Sequence, residues 1–398
     1  MKRSLLLTHD FPPVPGGIST VFYHIWKYFP PDRMLVLTPR MEGDRDTDRR
    51  SAFLPLRFRT FFTGWARKAC SFFIMTAWTK WHVFFGGVRE IHAGQILSCG
   101  PIGFAFQKLF GIPCFLWLYG GETTAAYKRH PAEEWLVSTL IRGCRFLVTI
   151  SPTTTREFLE FGIPAERIIE IIPAVDSAVF RPGPRPDHLV ARHNLDGKHV
   201  LLTVSRLTPR KGHDLVLGSL ARLRDRSDIR YVVVGSGADR SRLERLADEL
   251  GVADAVIFAG WVDASELPDY YRLADIYVMP NREAPEVTDS IEGFGISFIE
   301  AAACGKPAIG GRSGGAADAV VEGETGFLVD PEDPADLAEK VCFLLDNPEV
   351  REDMGRKGRE RVLRGFTWRQ RAERLAASLS ISPVPLREDP VDDEGTPG

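Results

Sequence analysis

The sequence lacks paired cysteines. Its six, Cys70, Cys99, Cys114, Cys144, Cys304 and Cys342, stand singly and none forms C-x-x-C, so neither a zinc site nor a disulfide framework is expected. They read as small buried hydrophobes in a reducing compartment. The sequence also lacks a long hydrophobic run: no stretch reaches the ~20 apolar residues that span a bilayer. The apolar part of MKRSLLLTHDFPP is too short for a signal peptide and is followed at once by Asp10 and prolines. It lacks an excess of charge, with 50 Lys and Arg against 53 Asp and Glu, which gives a nucleic-acid partner no support. A complete dinucleotide fingerprint is missing too. Gly235-x-Gly237 begins one, but Arg240 stands where its third glycine would be, so the pattern reads as a tight strand-to-helix turn and an NAD-dependent oxidoreductase is not supported.

What is present is a repeated alternation of apolar strands and helices. The length of 398 residues suggests two domains, at about 100–200 residues each. Ser4–Thr8 reads as a buried strand, followed by the loop HDFPPVPGGIST and a helix from Ile18. Met34–Thr38, Gln95–Cys99, Pro113–Leu118, Phe146–Ile150 and Ile168–Ile172 read as further strands. Pro173–Pro186 (PAVDSAVFRPGPRP) is a proline-rich crossing, after which the alternation restarts at His199–Val204. Two α/β series of this kind read as two Rossmann-like domains. Helices are expected from Pro334 to Asn347, Pro348 to Arg364 and Thr367 to Leu379. The acidic, proline-rich tail 382–398 reads as disordered.

The chemistry gathers in SIEGFGISFIEAAACGKPAIGGRSGGA, from Ser290. Gly293 and Gly295 let the backbone approach a ligand closely. A helix opening near Ile296 presents unpaired amides to an anion, through Phe294, Gly295, Ile296 and Ser297. Glu292 precedes that anion site and Glu300 lies inside the helix, so the two carboxylates can grip hydroxyls on either side of a diphosphate. Earlier, LLTVSRLTPRKGHDLVL places Arg206 and Lys211 between a buried strand and a helix N-terminus, a second diphosphate grip. Asp263, in AGWVDASEL, reads as a helix cap.

Glu292-x7-Glu300 in this glycine context, with Arg206 and Lys211, resembles the signature of family 4 retaining glycosyltransferases of the GT-B fold, which include bacterial α-mannosyltransferases that act on phosphatidylinositol. The resemblance covers residues 4 to 380. It implies an α/β fold of two Rossmann-like domains facing a central cleft, with bounds of about 1–180 and 187–365 and a last helix, 366–380, crossing back to the first domain. It implies transfer of a hexose, mannose from GDP-mannose, to a hydroxyl of a glycan or lipid-linked acceptor. Glu292 then holds sugar hydroxyls, Glu300 the ribose diol, and Arg206 and Lys211 the diphosphate. The Gly16-Gly17 loop approaches the donor phosphate and the acceptor, Tyr119 the transferred sugar, and the loop at Val262 the nucleobase. Tyr119 departs from the His often found there, which removes imidazole proton handling. No cofactor or metal is implied, because the cations replace one. Asp44-x-Asp46-x-Asp48 matches the metal signal of the other main glycosyltransferase fold, but it sits in the Arg-rich stretch Glu42–Arg50 and reads as a solvated loop.

Phe53–Arg89 is rich in aromatics, carries Arg57, Arg59, Arg67, Lys68, Lys80 and Arg89, and has no acid. Its helical part, Gly64–Phe85, reads either as a core helix with basic ends or as an interfacial helix on an anionic membrane. The chain is therefore expected in the cytoplasm, at the inner face of the membrane, with a nucleoside diphosphate sugar and a glycan or lipid-linked acceptor as partners. A UDP-glucose-type transferase, an epimerase of sugar nucleotides and a non-catalytic sugar-nucleotide-binding protein remain as alternatives.

Overall fold

A computed structural model describes residues 2–14, 16–51, 53–60, 64–120, 122, 130–283 and 292–379. The chain divides into two units, residues 1–173 with 368–398, and residues 174–367, so the division falls at the first residue of the proline-rich crossing. The tail 382–398 and most of the loop before Glu292 lie outside the described residues.

The first unit runs β1 (Arg3–Leu7), α1 (Gly17–Trp26), β2 (Met34–Pro39), α2 (Asp44–Arg50), β3 (Leu56–Phe58), α3 (Gly64–Phe84) and β4 (Val88–Ala93). It continues through α4 (Gly100–Phe110), β5 (Cys114–Leu118), α5 (Pro131–Gly143), β6 (Phe146–Thr149), α6 (Pro152–Glu160) and β7 (Ile168–Glu170). All strands pair in parallel in the order β3-β2-β1-β4-β5-β6-β7. Runs such as SLLL and CFLWL suit this arrangement, because a parallel sheet is covered on both faces. Leu5, Leu7, Leu116 and Leu118 are fully buried in its core.

Two expectations change here. The strand read at Gln95–Cys99 is a turn, and the strand beside β1 is Val88–Ala93. Its sequence, VREIHA, hides it by carrying Glu90 and His92 inside the sheet. Glu90 accepts a hydrogen bond from the Ser4 hydroxyl and His92 accepts one from Trp117 Nε1 at 3.3 Å. The stretch read as a solvated loop contains α2, and two of its acids, Asp44 and Asp48, are taken by the protein's own donors, while Asp46 stays exposed. Asp44 is buried and accepts from the Met41 amide at 3.2 Å, while Asp48 receives both Nε (2.8 Å) and Nη2 (2.7 Å) of Arg57. The aromatic stretch forms a helix with one face inward: Ser71, Met75, Thr79 and Val83, four residues apart, are buried, the spacing of one helical face.

The second unit opens with α7 (Asp187–His193) and β8 (His199–Val204), then α8 (His213–Arg222), β9 (Ile229–Val234), α9 (Arg240–Glu249), β10 (Val256–Gly260) and α10 (Leu267–Leu273). It goes on through β11 (Ile276–Met279), α11 (Ile296–Ala303), β12 (Ala308–Gly311), α12 (Ala316–Ala319), β13 (Gly326–Val329), α13 (Pro334–Asp346) and α14 (Pro348–Gly365). The sheet is again parallel, in the order β10-β9-β8-β11-β12-β13. Val233, Val278, Ile309 and Val341 lie in its core. The last helix, α15 (Trp368–Ser378), belongs to the first unit. There Trp368 stacks on His24 of α1, with centroids 5.1 Å apart.

In each sheet the first strand has later strands on both sides. The order reverses between β1 and β4, and between β8 and β11. Ligands of open parallel sheets bind at the carboxyl ends beside such a reversal.

Candidate active site

At the carboxyl end of β8 the chain makes a short 3₁₀ turn, Pro209–Lys211, that ends on Gly212 in the left-handed region (φ 72°). A side chain is impossible there: a Cβ on Gly212 would collide with the Pro280 carbonyl oxygen at the end of β11. This close approach carries Arg210 and Lys211 under the start of α11. Both are buried. Arg210 Nη1 donates to Glu292 Oε2 at 2.7 Å and Lys211 Nζ donates to the same oxygen. Burial opposes the charged form of Glu292, but Lys211 and Arg210 outweigh it and hold the carboxyl at about 2. Arg210 and Lys211 thus bring two cations beside the N-terminus of α11, where backbone amides also favour an anion.

Glu292 is fixed from behind as well, since its carbonyl accepts the Gly315 amide at 2.7 Å. Gly295, at φ 83°, turns the chain into α11. It has to be glycine, because a Cβ would strike the Phe298 ring. Phe294 anchors the otherwise bare Gly-Phe-Gly segment by stacking on Phe366 at 5.8 Å and 24°, and Arg361 lies 4.7 Å from the Phe366 ring centre.

Inside α11, Ser297 accepts from the Tyr277 hydroxyl at 2.6 Å, and Glu300 accepts from the Tyr271 hydroxyl at 2.6 Å. Among the described residues no cation offsets the burial of Glu300, and desolvation raises its carboxyl to about 7 despite the Tyr271 bond. The two carboxylates of one motif are thus driven in opposite directions. His213, at the start of α8, is buried and neutral, pushed down to about 4 by burial. Its ring pairs with Ser205 at 3.1 Å and Tyr231 at 2.8 Å, which fastens the β8 loop to β9.

The structure therefore brings Lys211, Glu292, Gly293, Phe294, Gly295, Ile296, Ser297 and Glu300 to one end of the second sheet. Val262 follows β10 at the same end. Asp263 accepts from the Ser265 amide (2.9 Å) and hydroxyl (2.7 Å), so it shapes the turn before α10 and does not cap the helix directly. Arg206 is exposed on the β8 loop, and the position beside Glu292 is filled by Arg210, which sequence reading passed over. The signal was the Pro-Arg-Lys-Gly run: a tight turn before a left-handed glycine buries the residues it contains.

The remaining predicted residues lie in the first unit. Gly16 (φ 143°) precedes α1, which begins at Gly17. Tyr119 directly follows β5, and its buried hydroxyl donates to the Gly94 carbonyl at 2.7 Å. Burial raises that hydroxyl well above its ordinary range, so it cannot stand in for an imidazole. Glu122, three residues beyond Tyr119, is buried and accepts the Tyr119 and Gly120 amides at 2.5 and 2.8 Å. Desolvation raises its carboxyl to about 7.

A family model described as glycosyl transferases group 1 matches residues 187–361. The chain is 30% identical to a GDP-mannose-dependent alpha-(1-6)-phosphatidylinositol monomannoside mannosyltransferase of Mycolicibacterium smegmatis, over 94% of the chain and 98% of that protein. It is 38% identical to a D-inositol 3-phosphate glycosyltransferase of Catenulispora acidiphila, over 75% of the chain and 71% of that protein. Among solved structures, Anabaena HepE in complex with UDP and glucose superposes with a TM-score of 0.80 at 19% identity, covering 96% of this chain and 99% of HepE. At that identity the likeness speaks for the fold, which is GT-B.

Proposed function

The chain belongs to the group 1 glycosyl transferases, and from that premise we propose that it moves mannose from GDP-mannose to a hydroxyl of a phosphatidylinositol-type lipid acceptor with retention of anomeric configuration. The observation that carries the reading is the clasp of Glu292 by Arg210 and Lys211 beside the N-terminus of α11. The relatives named as GDP-mannose-dependent mannosyltransferases support the donor and the lipid class.

In this mechanism the leaving group is a nucleoside diphosphate, and its developing charge meets groups fixed in advance. Lys211, Arg210 and Arg206 supply positive charge, and the first amides of α11 supply hydrogen-bond donors. Before the donor arrives, Glu292 keeps Arg210 and Lys211 aimed. When the diphosphate takes those cations, the carboxylate is released to sugar hydroxyls. Glu300 accepts from the ribose diol, and the diphosphate oxygen receives the acceptor's proton on the same face. The cations do the work of a divalent metal, so none is required.

The acceptor side is supported by α3. Its outer face exposes Phe73 (70%), Trp81 (61%) and, just beyond the helix, Phe85 (74%), and Arg67, Lys68, Lys80 and Arg89 are exposed around them. At the neighbouring end of α4, Phe110 packs against Phe84 at 5.1 Å. Aromatic and basic residues on one surface suit an anionic lipid bilayer. Among the described residues no helix is long and apolar enough to cross a membrane, so contact through α3 would be peripheral, at the inner face of the cytoplasmic membrane.

The test is transfer of labelled mannose from GDP-mannose to phosphatidylinositol in anionic vesicles, with EDTA present. Transfer that persists in EDTA and is lost with UDP-glucose as donor supports the reading. Transfer from UDP-glucose alone overturns the donor, and full inhibition by EDTA overturns metal independence.

A further inference from the structure

The second unit keeps an unsatisfied polar group at the reversal of its sheet. The floor of that reversal is Pro280–Arg282, the first residues beyond β11. On one side this run touches the cation loop: the Arg282 amide donates to the Arg210 carbonyl at 2.9 Å. On the other side Asn281 Nδ2 donates to the Ser313 carbonyl at 2.9 Å, two residues before Gly315, whose amide holds Glu292. Asn281 thus lies between the loop that carries Arg210 and Lys211 and the turn that supports Glu292. It is fully buried, yet its Oδ1 has no hydrogen-bond partner, and neither does the Oγ of Ser313. Buried amide oxygens are nearly always paired, because leaving one unpaired costs the full penalty of removing it from water.

The chemistry of the orphan narrows what can satisfy it. An amide oxygen only accepts. A diphosphate at neutral pH offers only acceptors, so it cannot fill the vacancy. A sugar hydroxyl donates, and it can also accept from the Ser313 hydroxyl. We infer that Asn281 and Ser313 form a subsite that recognises a ring or exocyclic hydroxyl of the transferred hexose, and that this pair helps set which sugar the enzyme takes. The inference rests on the proposed sugar-nucleotide reading and names which residues read the sugar. The Nδ2 bond to Ser313 also props the turn under Glu292, so the test has to separate recognition from propping.

The experiment compares GDP-mannose with its 2-, 3-, 4- and 6-deoxy analogues, using the full chain and reading kcat/KM together with the inhibition constant of GDP. A site that hydrogen-bonds a hydroxyl discriminates against the analogue lacking it, here by roughly 10-fold or more. Wild type is expected to disfavour one analogue in this way. Asn281→Ala is expected to use that analogue and GDP-mannose alike, with GDP still inhibiting at the wild-type concentration. Ser313→Ala makes a smaller deletion and is expected to narrow the same preference, which keeps the test alive if Asn281→Ala does not fold. Retention of the full preference in both variants overturns the subsite. A parallel loss of GDP inhibition shows a prop and also overturns it. Wild type that neither turns over GDP-mannose nor is bound by GDP overturns the underlying reading, and the subsite with it.

Discussion

In the first unit the reversal between β1 and β4 is closed by one side chain. Gln95 donates from Nε2 to Asp10 (2.9 Å) and Thr8 (3.0 Å) and accepts the His9 amide at 3.0 Å. Next along the same sheet end, Glu122 spends its carboxylate on two backbone amides and Tyr119 spends its hydroxyl on a backbone carbonyl. In the second unit the equivalent reversal, between β8 and β11, is left with two cations on one carboxylate and an amide oxygen without a partner. The same architecture therefore carries polar groups of two kinds. Those that satisfy one another fix the shape of a loop. At the second reversal the cations on Glu292 and the unpaired amide oxygen of Asn281 are the groups we assign to a ligand.

The sharpest way to break this contrast is to neutralise the two carboxylates in turn. Glu292→Gln is expected to lower transfer by about 10²–10³-fold, the cost of removing one preorganised polar contact from a reacting centre. Glu122→Gln is expected to act on stability instead, at about 1–3 kcal/mol for amides left poorly paired in the interior, with GDP binding kept. Chemical denaturation and steady-state turnover on both variants check this. Equal losses of turnover would erase the distinction.

A medium effect is expected from pH. Glu300 has a folded-state carboxyl near 7, above its ordinary 4.5. Between those values the folded protein keeps a proton that the unfolded chain has released, so this group's contribution is present below about 4.5 and is lost as pH rises through 7. Glu292 is shifted the other way, to about 2, so its contribution is present above 4.5 and is lost as pH falls towards 2. Glu300→Gln is expected to flatten the decline of stability between pH 4.5 and 7, by a slope of at most about 1.4 kcal/mol per pH unit. A melting-temperature profile of the ligand-free variant that matches wild type would contradict the assignment. The smallest effect is expected at Tyr119→Phe, which deletes one neutral hydrogen bond worth about 0.5–1.5 kcal/mol. A loss of turnover beyond tenfold would show the hydroxyl taking part in the reaction.

Much of the second unit's site was legible because it is local. Glu292, Gly295 and Glu300 lie within one loop and one helix, where spacing fixes position. Arg210 was not legible, because the sequence offers Arg206 and Arg210 on one loop, and only the turn closed by Gly212 decides which is buried beside Glu292. The fold was legible where strands are apolar throughout, as at β1 and β5. It failed at β4, where Glu90 and His92 find partners only across the sheet, in Ser4 and Trp117. Asp44 and Asp48 looked solvated because their partner, Arg57, arrives from β3. Asn281 carried no sequence signal at all, since an unpaired oxygen is visible only after every neighbour has been placed.

The central claim is that Arg210 and Lys211, beside Glu292, hold a nucleoside diphosphate. It is tested most directly by the thermal stability of wild type and Lys211→Met with GDP, GDP-mannose and UDP. A ligand that binds only the folded state adds about 2.7 kcal/mol at 100 times its dissociation constant. Wild type is predicted to be stabilised by GDP and GDP-mannose and hardly by UDP, and Lys211→Met by none of them. Stabilisation of the variant equal to that of wild type, or none in either protein, would contradict the account.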